Sequence, residues 1–182
     1  MKKLFLFLII IFASFSNLVA QTFKAKVERM NGLELYVLAE PETEYEKLGT
    51  VQIVSTGFEK NTIQAMVSRL VVKASKTHPQ ADAIIYYSGN TAFAIKFKEK
   101  SNGIAVLNNS DNLDDKPIFV YSEPIDLDYN VVDMKKLPSQ SLTPKIYYIY
   151  GVFNNVSKKV AKKQEHDGLI YTGGNKVKVI TL

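Results

Sequence analysis

The fold is decided by the stretch Asp82-Ala-Ile-Ile-Tyr-Tyr-Ser-Gly-Asn-Thr-Ala-Phe-Ala-Ile-Lys-Phe97. Two apolar runs, rich in β-branched and aromatic residues, flank Ser88-Gly89-Asn90, and this pattern predicts a β-hairpin. The chain ends on a similar stretch, Asp167-Gly-Leu-Ile-Tyr-Thr-Gly-Gly-Asn-Lys-Val-Lys-Val-Ile-Thr-Leu182. Asp167 follows Asp82 by 85 positions, and Ile180 follows Ile95 by the same interval. An ungapped match through a turn indicates an internal duplication.

The duplication extends outward from the two hairpins. The strand-like run Ile118-Phe-Val-Tyr-Ser-Glu-Pro124 resembles Leu35-Tyr-Val-Leu-Ala-Glu-Pro41, with Glu-Pro in the same place. A second strand-like run, Lys47 to Val54, has a weaker counterpart at Val131-Val132. Each half therefore begins with two predicted strands.

Each half also carries a helical pattern. Apolar residues at helical spacing predict a helix from about Asn61 to His78, with Asn61 as its N-cap. A shorter helix is predicted over 154–163. We therefore predict an α+β fold of two tandem ββαββ repeats, 35–98 and 118–182, in which each antiparallel sheet has one helix packed on one face.

The first twenty residues have the pattern of a secretory signal peptide. A positive pair, Lys2-Lys3, precedes an apolar run from Leu4 to Phe12, and Leu18-Val19-Ala20 offers a cleavage site. The run is too short to cross a bilayer comfortably, and a retained membrane anchor is the alternative. We predict cleavage after Ala20 and export of a soluble protein to the periplasm or the cell exterior.

Three segments follow the predicted signal peptide, 1–20. Residues 21–103 contain an N-terminal strand pair, joined at the turn signal Asn31-Gly32, and the first repeat. Residues 104–116 are predicted to be a linker because they are mostly polar. Residues 117–182 contain the second repeat.

Composition limits the chemistry and divides the charge. The chain has no cysteine, which excludes disulfides, thiolate metal sites and cysteine nucleophiles. Residues 21–133 contain 12 basic and 16 acidic residues, whereas residues 134–182 contain nine basic and two acidic residues. The C-terminal half is therefore predicted to be suited to contact with an anionic surface.

The alternation of residues in the first hairpin predicts where partners bind. Ala92 and Ala94 share one face, which suits close contact with a helix, whereas Phe93, Ile95 and Phe97 share the other. This second face is too apolar for water, so we expect the other repeat, packed about a pseudo-twofold axis, or another subunit to cover it. The predicted interaction surface adds strand tyrosines and basic helix residues to this face, and consists of Phe93, Ile95, Phe97, Tyr86, Tyr171, Lys158 and Lys162.

No cluster of residues predicts a catalytic, cofactor or metal site. His78 ends a predicted helix and His166 precedes a turn, and the two positions are not equivalent in the duplication. The acidic runs are interpreted as solvated connectors, and comprise Glu40, Glu42, Glu44, Glu46, Asp111, Asp114 and Asp115. No Ser-His-Asp order, phosphate-binding glycine loop or metalloprotease helix occurs. We predict that the protein is not an enzyme and has no cofactor.

A family resemblance rests on the residues Tyr45-Glu-Lys-Leu-Gly-Thr-Val51, the helix that follows them, and Ala81-Asp-Ala-Ile-Ile85. This order resembles the YbjQ/RcsF-like family of small bacterial α/β domains, which have a dodecin-like fold. The resemblance covers about 35–98, and reaches 118–182 only through the duplication. It implies oligomerisation or partner binding through the sheet and no established catalysis. Some members carry a heavy-metal-binding label and others use disulfides, and the absence of cysteine counts against both for this chain.

Three hypotheses on function remain open at this stage. The first is an exported, non-catalytic module that binds a protein partner, or a second copy of itself, through its sheet surfaces. The second is a divalent-metal or small-ligand-binding envelope protein. The third is a hydrolase, which requires His78, His166 and a carboxylate around one cleft. Nucleic acid is excluded as a partner because an exported chain lacks a basic motif interleaved with aromatic residues.

Overall fold

The computed structural model describes residues 22–54, 62–108, 116–137 and 149–182. The predicted signal peptide and the aspartates Asp111, Asp114 and Asp115 lie outside these residues. Within them the chain has an α+β fold that is mostly sheet, with two helices, α1 (Ile63–Thr77) and α2 (Ile149–Ala161). The strands are β1 (Thr22–Val27), β2 (Arg29–Met30), β3 (Leu33–Val37), β4 (Glu40–Pro41), β5 (Tyr45–Gln52), β6 (Ala83–Tyr86), β7 (Thr91–Phe97), β8 (Ile104–Asn108), β9 (Ile118–Val120), β10 (Ser122–Pro124), β11 (Asn130–Lys136), β12 (Gly168–Tyr171) and β13 (Lys176–Thr181).

These strands form two sheets. The large sheet has nine strands in the order β11-β13-β12-β9-β3-β6-β7-β5, with β2 paired to β3 off this path. The small sheet has the order β10-β1-β8-β4. Strand β8 occupies the first part of the predicted linker, 104–116, and pairs with β1 and β4.

The large sheet is mixed, which corrects the prediction of antiparallel sheets. Strand β3 pairs in parallel with β6, and β9 pairs in parallel with β12. Each helix carries the chain from an edge strand back across the sheet, so the next strand inserts beside the first strand of its half in the same direction. The halves share one sheet because β3 and β9 meet antiparallel at Val37 and Val120.

Both helices cover one face of the large sheet. Their buried apolar side chains form one core cluster with Ala92 and Ala94 of β7 and with Val177 and Val179 of β13, which confirms the predicted helix-facing residues. Helix α1 begins after Thr62, whose hydroxyl accepts a hydrogen bond from the Ala65 amide at 3.1 Å. The predicted N-cap, Asn61, lies outside the described residues.

Helix α2 includes Ile149–Val152, which local propensity favours as part of a strand. Val152, Val156 and Val160 lie four residues apart, and all three are buried against the sheet with Phe153. Burial of this continuous apolar face outweighs the small intrinsic cost of β-branched residues in a helix.

The opposite face of the large sheet is covered by the small sheet. The resulting inter-sheet cluster combines side chains of both sheets, which are Phe23, Ala25, Tyr36, Ala39, Ala83, Ile85, Ile95, Phe97, Ala105, Leu107, Phe119, Ile170 and Ile180. Phe23 of β1 lies edge-on to Phe119 of β9, with ring centroids 6.3 Å apart. The apolar face of β7 is therefore covered by strands β1 and β8, and not chiefly by the second half as predicted. Strand β1 precedes the first predicted repeat, 35–98, and strand β8 precedes the second, 118–182.

Candidate functional site

The predicted interaction surface is largely internal. Ile95, Phe97, Tyr86 and Tyr171 are buried, and Phe93 is half-buried beneath the ammonium of Lys47, which lies 3.2 Å from the ring centroid. These five residues therefore contribute to packing within the chain. Only Lys158, on α2, and Lys162, directly after the end of α2, are exposed.

The two buried tyrosines have a structural role. The Tyr86 hydroxyl donates to the Gly89 carbonyl at 2.8 Å, and the Tyr171 hydroxyl donates to the Gly174 carbonyl at 3.0 Å. Each hydroxyl thereby pairs a carbonyl in the turn of its own hairpin, as a buried tyrosine requires.

The two histidines lie in different halves of the molecule. His78 ends α1, and its ring lies close to Gly49 of β5, where an added Cβ would be 2.6 Å from the His78 Cε1. His166 is buried, and its Nε2 lies 2.9 Å from the Ser157 hydroxyl of α2. The cleft that the hydrolase hypothesis requires, with both histidines, is not formed. Within the described ranges, no three histidine, aspartate or glutamate side chains converge on a metal position.

The edges of the large sheet differ in their exposed residues. Strands β5 and β11 end the sheet, and each has a register shift against its neighbour, at Lys47/Gly49 and at Val131/Asp133. Lys47 of β5 pairs with Ile95 of β7, whereas Val131 of β11 pairs with Ile180 of β13. The β5 edge thus has a charged residue where the β11 edge has an apolar one.

The β11 edge comprises three exposed apolar residues beside lysines. Val131, Val132 and Met134 are 49%, 45% and 49% exposed, in an edge strand whose one partner among the described strands is β13. A groove of about 120 Å³ separates β11 from α2 and is lined by Lys135, Lys136, Asn155, Val156 and Lys159. An exposed apolar edge strand offers unpaired backbone groups to another chain. The β11 edge is therefore the first candidate site.

A polar cavity of about 280 Å³, which we call the Glu34 pocket, is the second candidate site. Its polar walls are Arg29, Glu34, Asp82, Glu99, Lys100 and Ser101. Glu34 belongs to β3, and its side chain is only 2% exposed, whereas Arg29 on the paired strand β2 is 66% exposed. The residues Leu33-Glu34-Leu35 alternate as in an ordinary half-buried strand, so their pattern gives no sign of this site.

Four polar groups form a compact network at this pocket. One Glu34 oxygen accepts from the Arg29 guanidinium at 2.5 Å, and the other accepts from the Tyr36 hydroxyl at 2.8 Å and the Ser101 hydroxyl at 2.7 Å. Burial opposes ionisation of Glu34, but the hydrogen bonds from Ser101, Arg29 and Tyr36 outweigh it, so the pKa of Glu34 lies below its ordinary value. Burial and the neighbouring carboxylate raise the pKa of Tyr36 above its ordinary value, so its hydroxyl stays protonated as a donor.

We expect Glu34→Gln to reduce the dependence of stability on acidic pH. Because the folded-state pKa of Glu34 is depressed, its ionisation stabilises the fold above the ordinary value of 4.5, and this contribution is lost as pH falls through the lower folded value. Urea unfolding across this acidic range measures the effect. Glu46→Gln, at an exposed position of β5, is the matched control. Equal slopes for wild type and Glu34→Gln would contradict the prediction.

Comparison of the chain with models of known protein families, with curated proteins and with solved structures gives no match. The resemblance to the YbjQ/RcsF-like family therefore stays a prediction. Among the described residues, neither helix is long and apolar enough to span a membrane.

Proposed function

We propose that this protein is an exported, non-catalytic binding module that adds an extended acidic segment of another protein to its β11 edge. The observation that carries the proposal is the exposed apolar edge strand, with Val131, Val132 and Met134 beside a lysine-lined groove. Both faces of the large sheet are covered by the chain itself, so the edges remain for a partner. Export is supported by the signal-peptide pattern of residues 1–20.

Strand addition suits the properties of this edge. Backbone groups along an edge strand supply affinity without regard to sequence, and side-chain pockets beside the edge supply selectivity. Natural edge strands are usually protected by charged residues. On β5 the charged Lys47 lies opposite Ile95, whereas on β11 Val131 lies opposite Ile180, and the charged residues Asp133, Lys135 and Lys136 follow it. The apolar edge gives the partner surface to bury, and the lysines favour acidic side chains.

Charge favours another protein over a second copy of this chain. Pairing of two β11 edges would bring two lysine-lined grooves into the same interface. The β5 edge of a second copy would bring Lys73 and Lys76 of α1, exposed on the same face of the large sheet, towards the lysines of α2. Like charges at an interface are unfavourable, so an acidic partner is the better fit.

We also propose that the chain consists of two tandem ββαββ repeats. Outward from the β3–β9 pair, the strand order of each half is the same. The Asp82 carboxylate accepts from the Phe97 amide at 3.0 Å, and the Asp167 carboxylate accepts from the Leu182 amide at 2.9 Å, 85 positions later in each case. These equivalences in topology and hydrogen bonding support a duplication, and make β5 a natural internal control for β11.

We expect a capped peptide of alternating glutamate and valine to bind the wild-type protein, and Lys136→Glu combined with Lys159→Glu to weaken this binding at least about tenfold, or about 1.4 kcal/mol. Fluorescence anisotropy of the labelled peptide measures the affinity. The wild-type affinity should fall as ionic strength rises, because exposed charges are screened. The same peptide with alternate amides N-methylated should bind more weakly, because it cannot complete the backbone pairing.

The matched control is Gln52→Glu on β5. Gln52 pairs with Thr91 as Lys136 pairs with Lys176, so the change adds negative charge at the equivalent position of the opposite edge. Its affinity for the peptide should equal that of wild type. Equal binding of a peptide of alternating lysine and valine, or unchanged binding by the double variant, would contradict the proposal.

Small-ligand binding is a second candidate function, and the observation that favours it is the Glu34 pocket. The divalent-metal alternative has no comparable support, because the described side chains form no cluster of metal ligands.

A further inference from the structure

We propose that the Glu34 pocket binds a small organic cation carrying a guanidinium group, and that Arg29 occupies this position when no ligand is bound. The proposal concerns a site separate from the β11 edge and does not depend on the function proposed for that edge. It rests on three features of the pocket, which are its buried anion, its exposed internal cation and its absence from the second half.

The buried anion sets the chemistry of the ligand. The Glu34 side chain is only 2% exposed, yet it lines a cavity of about 280 Å³. Tyr36 and Ser101 fix one of its oxygens, so the carboxylate has a defined orientation. Its remaining oxygen is bound by a guanidinium nitrogen at 2.5 Å. The pocket therefore already accepts this chemical group at its base.

The internal cation can be exchanged for a ligand cation. The Arg29 side chain is 66% exposed, and its guanidinium reaches Glu34 from the two-residue strand β2. Release of Arg29 alone would leave the buried Glu34 carboxylate unpaired, which is costly, so Arg29 leaves only as another cation takes its place. A ligand guanidinium can replace it without leaving Glu34 unpaired, since the planar group offers the same donors to a carboxylate.

The remaining walls favour a positive ligand. Asp82 and Glu99 line the same cavity as Glu34, and among its described lining residues the cations are Arg29 and Lys100. When Arg29 moves away, the pocket has an excess of negative charge. A guanidinium is also more weakly hydrated than an ammonium, so its transfer into a partly buried site costs less.

The second half has the same strand order without a glutamate at the position of Glu34. Leu35 pairs with Ile84, and Ile118 pairs with Leu169, which is the equivalent of Ile84 85 positions later. Glu34 therefore corresponds to Pro117, the residue that precedes Ile118. The strand β2, which carries Arg29, also has no counterpart among the described strands of the second half. A buried ion pair is weak support for stability, so a pair present in one half alone points to a role in binding.

Isothermal titration of the full chain with agmatine tests the proposal, with an equal concentration of sodium chloride as the ionic-strength control. We expect saturable binding of one agmatine per chain. Arg29→Ala removes the internal competitor and should tighten binding about tenfold, because the apparent affinity rises with the fraction of open pocket. Glu34→Gln keeps the shape of the side chain and should abolish saturable binding.

Two further variants keep the test decisive. If Glu34→Gln fails to fold, Ser101→Ala should weaken agmatine binding in a folded protein, because Glu34 loses one of the two donors that orient its carboxylate. Glu42→Gln, on the same chain but outside the pocket, should leave the affinity unchanged. The proposal is overturned if wild type shows no saturable heat up to about 10 mM agmatine, a concentration about tenfold above a Kd of about 1 mM. It is also overturned if Arg29→Ala does not bind more tightly.

Discussion

Expressed separately, the segments 22–103 and 104–182 are expected to show no cooperative unfolding transition, and to recover one when they are mixed. Strand β1 pairs only with β8 and β10 among the described strands, so the first segment loses both neighbours of its N-terminal strand. The β3–β9 junction is lost as well. The inter-sheet cluster is divided, with Phe23 and Ile95 on one segment and Phe119 and Ile180 on the other.

The free energy lost when the inter-sheet cluster is divided between the two segments exceeds the stability of a typical domain. Each large apolar side chain contributes about 1.5–3 kcal/mol when fully buried, whereas a whole domain is stable by only about 5–15 kcal/mol. Exposure of several such side chains on each segment therefore removes the fold. Circular dichroism during urea titration, with size-exclusion chromatography of each segment and of the mixture, measures the outcome. Two stable monomeric segments without mutual affinity would show that the halves are independent domains.

Phe119→Ala is expected to lower the free energy of unfolding by about 3–5 kcal/mol. Phe119 is fully buried at the centre of the large sheet, and it contacts Phe23 of the small sheet edge-on. Its removal takes away apolar contact and leaves a cavity between two sheets whose backbones cannot close on it. Urea unfolding of the intact chain, at one pH and one protein concentration, measures the change.

Phe93→Ala is the matched control for this substitution. Phe93 belongs to the same face of the large sheet, but it is half-buried at the β5 end, where Lys47 covers its ring. Solvent can fill the space that the ring vacates, so the expected loss is about 1–2 kcal/mol. Equal losses for the two variants would contradict the view that Phe119 lies at the centre of the inter-sheet core.

The covered faces change where a binding site is to be sought. An uncovered apolar sheet face can bind a partner. The face formed by Phe93, Ile95 and Phe97 was predicted to belong to the interaction surface. Because β1 and β8 cover it, the available surfaces are the sheet edges and the Glu34 pocket. Of the predicted interaction residues, Lys158 and Lys162 remain exposed; Lys158 lies on α2, which borders the β11 edge, and Lys162 directly follows this helix.

The sequence alone did not predict either candidate site, although it contained two features of the β11 edge. The excess of lysine after residue 133 indicated a basic C-terminal surface, and Val131-Val132 indicated a strand. That this strand ends the sheet depends on the position of β13, which comes more than 40 residues later. The Glu34 pocket combines side chains from residues 29–34, 81–82 and 97–101, and no local pattern connects these segments.

The sequence by itself determined the two hairpins, helix α1, the C-terminal part of α2, and the division of hairpin residues into a helix-facing set and an apolar set. These are local properties, because the period of apolar residues specifies which side chains share a face. Tertiary structure alone decided which strands cover the apolar residues of the hairpin, which strands pair in parallel, and that β11 lies at an edge of the large sheet. These depend on pairs such as Val37 with Val120 and Ala25 with Ala105, which join residues some 80 positions apart. Such pairs are chosen by the burial of the whole core, and alternation within a single strand carries no information about its partner.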